Sequence, residues 1–561
     1  MSLHHTTQRQ KVIIMAAVMS AMFLVALDQT IIATALGKIV EEFNSFSSLS
    51  WVVTAYMLTT TVTVPLAGKM SDIFGRRKVL LTGVTIFVLG SFLSGGAMSI
   101  EQLILSRAFQ GIGGGIIMAN AFTIIGDLFS PRERGKWQGL IGAVFGLSSV
   151  IGPLLGGFLT DPHTIFGLTT NWRWTFWINV PIGVISFLII ARYMPLIRHD
   201  HKPKIDYLGA GFLAASLSSL ILAVDNTDKI FASLIEGGVS TTTIKVALYG
   251  IALLAAGLFV CAEKRAAEPI IPLSFFRNRT FSTLMAVGLL FGAAFLGAIL
   301  YLTQFNQQVF GADATQSGLM LLPMIIGLSG MAATMGQFVS RTGKYKIPLI
   351  AGFGMATVAI FALSTLTPTS PYWQEAIIMF FAGAGLGAGM PILNLAVQNE
   401  FGQKDLGAAT ASVQLFRGLG STVGTAILGT LLVSGVTTQL GNVQQDSYIR
   451  LLSQQPVAAQ MLGTVDADTV LNLNTHSFKD QINSGFDKAT AQLPAPVREA
   501  AKAKLQAEQD AFGNKVVMAF SDSLRTVFYV SSALMIVATL IATGIVERPL
   551  RGDHDDTPGI A

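Results

Sequence analysis

The sequence predicts an all-α integral membrane protein of fourteen transmembrane helices, built as two pseudo-symmetric six-helix lobes with two further helices between them. Three observations carry this expectation: 51% hydrophobic against 12% charged residues, fourteen long apolar runs, and an internal repeat at constant spacing. Soluble domains carry about 25% charged residues, so a chain of 561 residues with half that proportion places most of its length in lipid.

Each run has roughly 18 to 25 residues, the length a helix needs to cross about 30 Å of hydrocarbon at 1.5 Å per residue. The first, 12–34, contains Asp28 and is followed by thirteen more, so it reads as a retained helix and not as a cleaved signal. Runs 50–68, 79–98, 103–127, 137–160 and 174–194 complete an N-terminal lobe within residues 1–200. Runs 206–224 and 244–262 occupy the central segment 201–270. Runs 280–305, 316–339, 347–367, 373–398, 408–434 and 516–545 form the C-terminal lobe, 271–561. Between the last two runs lies a polar excursion, 436–515, with Asn442 to Asp446 and an Ala- and Lys-rich stretch from Pro496 to Ala511. So long a connection with helix-forming composition predicts a short external helical cap, serving either as a surface excursion or at the external mouth.

The repeat supports the lobes. An offset of 272 carries Phe129, Gly135, Gly146, Gly152 and Gly157 onto Phe401, Gly407, Gly418, Gly424 and Gly429. Residues Gly68 to Lys78 have a weaker echo in Gly336 to Lys346 at an offset of 268, with Ser340 where the first copy has Asp72. Six spans take only about 195 residues at these lengths, so the larger offset means that two spans are inserted between the copies. Paired repeats of this kind place a substrate site at their interface and let one half rock against the other.

A net charge of +5 and a pI near 9.2 would suit a nucleic-acid binder, but the cations are not gathered in one patch. Arg76, Arg77 and Lys78, then Arg132, Arg134 and Lys136, then Lys202 and Lys204, then Arg277 and Arg279, then Arg341, Lys344 and Lys346 occupy alternate short loops. The positive-inside rule then puts both termini in the cytoplasm, and nucleic acid is not an expected partner. Cys261 is the one cysteine, expected to pack inside an apolar helix. No G-x-x-x-x-G-K-[ST] loop, H-E-x-x-H or G-x-S-x-G string occurs, and the glycine run Gly383 to Ala388 sits in an apolar span with no strand before it. The expectation is therefore neither an ATP-driven pump nor an enzyme, and without cofactor or metal.

Four motifs carry chemistry. Gly68-Lys69-Met70-Ser71-Asp72-Ile73-Phe74-Gly75-Arg76-Arg77-Lys78 combines a glycine turn, anchoring cations and an acid that can face Arg76 or a helix amino terminus. Asp28 sits inside the first run, where an ionised carboxylate costs about 2.5 to 3.5 kcal/mol on insertion scales. It must face a cavity or a partner, and Arg107 in run four is the natural one, with Gln110, Gly111 and Gly114 on the same helical face. Run five holds Gly152-Pro153-Leu154-Leu155-Gly156-Gly157, which can kink and pack against its counterpart in the other half. Asn171 to Pro181 places three tryptophans at a membrane boundary, where such rings anchor.

The first of these strings resembles the loop signature of the major facilitator superfamily, and the others resemble motifs of its fourteen-helix drug:proton antiporters. The resemblance spans nearly the whole chain outside 436–515. It implies a major facilitator fold, a cytoplasmic gate at Gly68, Asp72, Gly75, Arg76 and Arg77, proton coupling by Asp28 and Arg107, and an antiporter motif at Gly152, Pro153, Gly156 and Gly157. A structural salt bridge is the competing role for Asp28 and Arg107. Tyr56, Gln110, Asn120, Gln304, Asn394, Gln398, Gln414 and Arg417 are polar residues inside spans, each either a cavity wall or a helix staple. Arg417 needs an acceptor, and Glu400, nearer the end of its span, is expected to be solvated. The function so implied is proton-coupled multidrug efflux of hydrophobic or cationic compounds by a monomer in a cell membrane, most simply a bacterial cytoplasmic one. Export of an endogenous lipid, siderophore or metabolite, and a non-transporting sensor, are the alternatives.

Overall fold

The computed structural model describes residues 7–43, 49–160, 162–165, 167–195, 206–224, 227–312, 314–402, 405–441, 445–453, 473, 476–491 and 494–550. Among these residues, 14 helices are long and apolar enough to cross a membrane. In chain order they are α1 Gln8–Phe43, α2 Leu49–Phe74, α3 Arg76–Gly95, α4 Ile100–Leu128, α5 Pro131–Thr160, α6 Asn179–Tyr193, α7 Tyr207–Val224, α8 Thr241–Glu263, α9 Arg279–Gln308, α10 Leu322–Thr342, α11 Lys346–Leu363, α12 Tyr372–Glu400, α13 Leu406–Leu440 and α14 Ala495–Thr543. The only strands among the described residues are β1 Thr164–Ile165 and β2 Leu168–Thr169, a small antiparallel hairpin after α5.

Every expected run is a helix, and the ends move for local reasons. The turn Trp174–Trp177 precedes α6 separately, and Pro323 sits in the first turn of α10, where a missing N–H costs nothing, so the short helix Ala314–Met320 stands apart. Gly75 adopts φ 89° between α2 and α3, a conformation that suits glycine and turns the chain sharply.

α1 to α6 enclose one core, with Phe87, Phe122, Phe129 and Ile117 at its centre, and α9 to α14 enclose a second, around Phe281, Phe291, Phe305 and Phe353. These are the two six-helix lobes. α7 and α8 pack on each other, and Leu213 and Leu217 of α7 meet Val62 and Leu66 of α2 and Leu415 and Leu419 of α13. The inserted pair thus leans on the seam between lobes.

With 14 spans among the described residues, the start of α1 and the end of α14 lie at one face, called here the terminus face. The lobes meet there through two repeat-related glycine contacts. A Cβ on Gly68 of α2 would stand 2.9 Å from the Gly407 carbonyl of α13, and one on Gly135 of α5 would stand 2.6 Å from the Gly336 carbonyl of α10. Gly68 maps onto Gly336 and Gly135 onto Gly407, so the internal repeat of the sequence is the pseudo-symmetry of the interface.

Two expectations need correction here. The polar excursion does not begin at 436 or end at 515: α13 runs to Leu440, ending at Gly441 with φ 61°, and α14 already starts at Ala495. The Ala- and Lys-rich stretch contains no glycine or proline after Pro496, so it continues into the last span as one helix. Its residues Leu505, Phe512 and Val516 share a small core with Tyr448, Ile449, Leu452, Leu473, Ile482 and Phe486, and Gln509 donates to Tyr448 Oη at 3.0 Å. The excursion is a helical cap with its own interior. Cys261 does not pack inside: it is exposed on α8, a helix that faces outward over most of its length.

Candidate functional site

Asp28 lies near the middle of α1 with no exposed surface, and its carboxylate is met by three donors from two other helices. Arg107 Nη1 of α4 donates to Oδ2 at 2.5 Å, Gln110 Nε2 donates to Oδ1 at 2.9 Å, and Asn179 Nδ2 of α6 donates to Oδ1 at 3.2 Å. The 107 and 110 positions share a face because they are one helical turn apart, and Arg107 Nη1 also donates to Gln110 Oε1 at 2.9 Å, closing a triangle. The guanidinium lies 4.2 Å from the Tyr56 ring and 5.5 Å from that of Phe176. Breaking such a buried pair by removing one partner costs about 3 to 5 kcal/mol in proteins generally, because the other charge is left uncompensated. Two residues on, Thr30 donates to the Ser148 carbonyl of α5 at 3.0 Å, so the helix carrying the acid is tied to α5.

A second charged assembly lies at the terminus face. Asp72, at the end of α2, accepts from Gly407 N at 3.1 Å and Ala408 N at 3.0 Å, the free amides at the start of α13 in the other lobe. Arg76 holds Asp72 at 2.5 Å and Asp127 at 2.6 Å, and donates to Ser71 as well. Arg77 donates to the Ala191 carbonyl. A carboxylate of one lobe on the helix start of the other is a latch between lobes. At the repeat-related position Ser340 offers no such charge, and the glycine contact of Gly135 with Gly336 stands alone.

A profile described as Major Facilitator Superfamily matches residues 18–425. The chain belongs to that superfamily. It is 33% identical over 553 residues to the multidrug transporter protein MdtP of Bacillus subtilis, covering 97% of this chain and 94% of that one. It is 36% identical over 420 residues to multidrug resistance protein 3 of the same organism, covering 74% and 78%. It is also 35% identical over 544 residues to an uncharacterized MFS-type transporter of Mycobacterium tuberculosis, covering 97% and 71%. The human organic anion transporter MFSD10 superposes with a TM-score of 0.56 at 16% identity, covering 76% of this chain and 94% of that one. The proton:xylose symporter XylE gives 0.55 at 15%, covering 76% and 90%. These two likenesses show the fold alone.

Within this major facilitator protein the remaining candidates fall into separate places. Asn394 and Gln414 meet in the C-terminal lobe, Gln414 Nε2 donating to Asn394 Oδ1 at 3.2 Å. Gln398 joins the lobes: it accepts from Gln138 at 3.0 Å and donates to the Phe122 carbonyl at 3.0 Å. Asn120 donates within its own helix to the Ile116 carbonyl, and Gln304 is partly exposed near the end of α9. Within the antiporter string a Cβ on Gly152 would collide with Thr30 of α1, Pro153 lies beside Gly318 of the short helix before α10, and Gly157 has open space beside it. Gly156 is buried and Pro153 half-buried. The face of α5 that meets α10 is instead the earlier ladder Gly135, Gly139, Gly142 and Gly146.

Several further side chains differ from expectation or went unread. Trp172 is only 2% exposed, packed against Phe43 and Phe176, and its Nε1 donates to Glu42 at 2.7 Å, so it is a core residue and not an interfacial anchor. Arg173 grips Glu42 with bonds of 2.8 and 3.0 Å and holds that carboxyl below its ordinary range. Glu400 is buried, not solvated, because the chain after α14 folds back and brings Arg548 to 3.5 Å, while Asn278 donates to it at 2.9 Å. Asn179 was hidden among tryptophans that suggest a headgroup anchor. Glu375 of α12, with no exposed surface, is met by Asn306 of α9 at 2.8 and 3.2 Å when the amide is turned to donate. Its signal was an acid three residues inside an apolar run.

Proposed function

We propose that this protein is a proton-coupled exporter of small hydrophobic compounds, an antiporter of a cell membrane with both termini in the cytoplasm. The observation that carries the reading is Asp28: a carboxylate fully enclosed among α1, α4 and α6 and paired with Arg107. Protonating it removes the charge that Arg107 answers, and deprotonating it restores the pair, so the two states favour different packings of the same helices. The Thr30 to Ser148 hydrogen bond passes any tilt of α1 to α5, whose other side meets α10 of the second lobe. That is a physical route from a proton to the relative position of the lobes.

The basic loops between α2 and α3, α4 and α5, and α10 and α11 lie at the terminus face, which on the positive-inside rule is cytoplasmic. On this reading Asp72 and Arg76 form the cytoplasmic gate, and the conformation described here is shut on that side. Each proton charge moving down 100 mV supplies about 2.3 kcal/mol, which sets the scale of the substrate gradient it can sustain. Relatives named as multidrug transporters support drug-like substrates.

The test is dye uptake into inside-out vesicles under an imposed pH gradient. Asp28→Asn keeps the size and an acceptor for Arg107 but cannot lose a proton. We expect it to insert normally and to abolish gradient-driven export, a fall of at least a hundredfold. Wild-type export in that variant ends the coupling role of Asp28.

A further inference from the structure

Arg417 is the charge this mechanism leaves unused. On α13, Gln414, Arg417 and Ser421 share one face at intervals of three and four residues. The outer two are committed to neighbouring helices: Gln414 to Asn394 of α12, and Ser421 to the Gly292 carbonyl of α9 at 3.0 Å. Arg417 therefore projects on the inner side of the C-terminal lobe, between α9 and α12. Leu415 and Leu419 point the other way, to α2 and α7.

Arg417 is half-buried, and among the described residues it makes no hydrogen bond, ion pair or ring contact. Space adjoins it on two sides. A Cβ added to Gly418, or to the buried Gly288 one turn before Gly292, would meet no atom within 4 Å. Gln414 Oε1 is also buried without a donor. Interior acids elsewhere are already engaged: Asp28 by Arg107, Asp72 by Arg76 and the start of α13, and Glu375 by Asn306. Among the described residues Arg417 is thus an interior cation with no carboxylate paired to it.

We propose that Arg417 binds the anionic group of the exported compound, so that the preferred substrate is a hydrophobic organic anion and not a lipophilic cation. A guanidinium offers five donors in a planar fork that fits carboxylate, sulfonate or phosphate oxygens, and an interior site strengthens that contact. The buried Gln414 oxygen adds an acceptor for a hydroxyl or N–H beside the anion. This rests on the export reading above and narrows its substrate class.

The experiment uses the full chain in inside-out proteoliposomes with an imposed pH gradient and three matched fluorescent probes. These are an aryl sulfonate, the neutral sulfonamide of the same aryl group, and its quaternary ammonium analogue. Wild type is expected to export the sulfonate with kcat/KM at least tenfold above the other two. Arg417→Gln should lower sulfonate export at least tenfold and leave sulfonamide export within twofold, which also shows that the variant folds. Arg417→Lys should retain part of the sulfonate preference. Equal sulfonate export by wild type and Arg417→Gln, or a parallel fall for sulfonate and sulfonamide, overturns the proposal, as does a preference for the ammonium probe. If wild type moves none of the three under the gradient, the export reading itself fails, and this inference with it.

Discussion

A methyl group at Gly407 would stand 2.3 Å from Asp72 Oδ1, inside the contact that latches the lobes. Gly407→Ala should therefore push the carboxylate off the amides of α13 while disturbing little else. We expect transport to fall at least tenfold and a cysteine placed at Ala411 to label faster from the terminus face, in a background where Cys261 is replaced by serine. Unchanged labelling and transport would mean that the latch contributes nothing to closure. Asp28, Arg107, Asp72 and Arg76 were legible in the sequence because charges inside or at the ends of apolar runs need partners. Their extra partners were not: Asn179 and Ser71 are uncharged, and only the packing of α6 and the turn at Gly75 bring them in. Arg417 was legible as a charge in search of an acceptor, and what no sequence pattern could tell is that none of the described residues supplies one.

Among elements, the helices themselves were readable from apolar length, whereas their ends depended on contacts made elsewhere. α14 shows why. Its first half has helix-forming composition but a polar surface, and its burial comes from Tyr448, Ile482 and Phe486 in the segments that precede it. Phe512→Ala removes a ring that lies tilted against that of Tyr448 with centroids 5.3 Å apart. Losing a buried phenylalanine costs about 3 to 5 kcal/mol, enough to open a cap with so small a core. Limited proteolysis should then cut within 441–494 at least tenfold faster, with the spans still protected. Export retained by this variant would separate the cap from the transport cycle, and export lost would tie the two together.

At the scale of the whole molecule, the repeat in the sequence foretold two lobes, and the lobes meet through glycines that the repeat relates to each other. What the repeat could not tell is that only one of the two seams carries a carboxylate, since the Ser340 copy had already lost it. A Cβ on Gly142 would lie 3.0 Å from the Cβ of Ala332, so a Gly142→Cys, Ala332→Cys pair lacking Cys261 needs only a small shift to reach the Cβ separation of a disulfide. Oxidation should fix α5 to α10 and reduce transport at least tenfold, with recovery on reduction. Transport that continues through a complete cross-link would show that this seam does not part during the cycle.

The last helix is a single rod of 49 residues, about 74 Å from end to end, so a long part of it extends beyond the roughly 30 Å hydrocarbon core. A shaft of that stiffness behaves as a lever: a few degrees of lean at its membrane-embedded end sweeps the far tip sideways by several ångströms. A binder that clamps the tip to a fixed neighbour would then brake the rocking of an entire lobe without touching the path that the cargo takes.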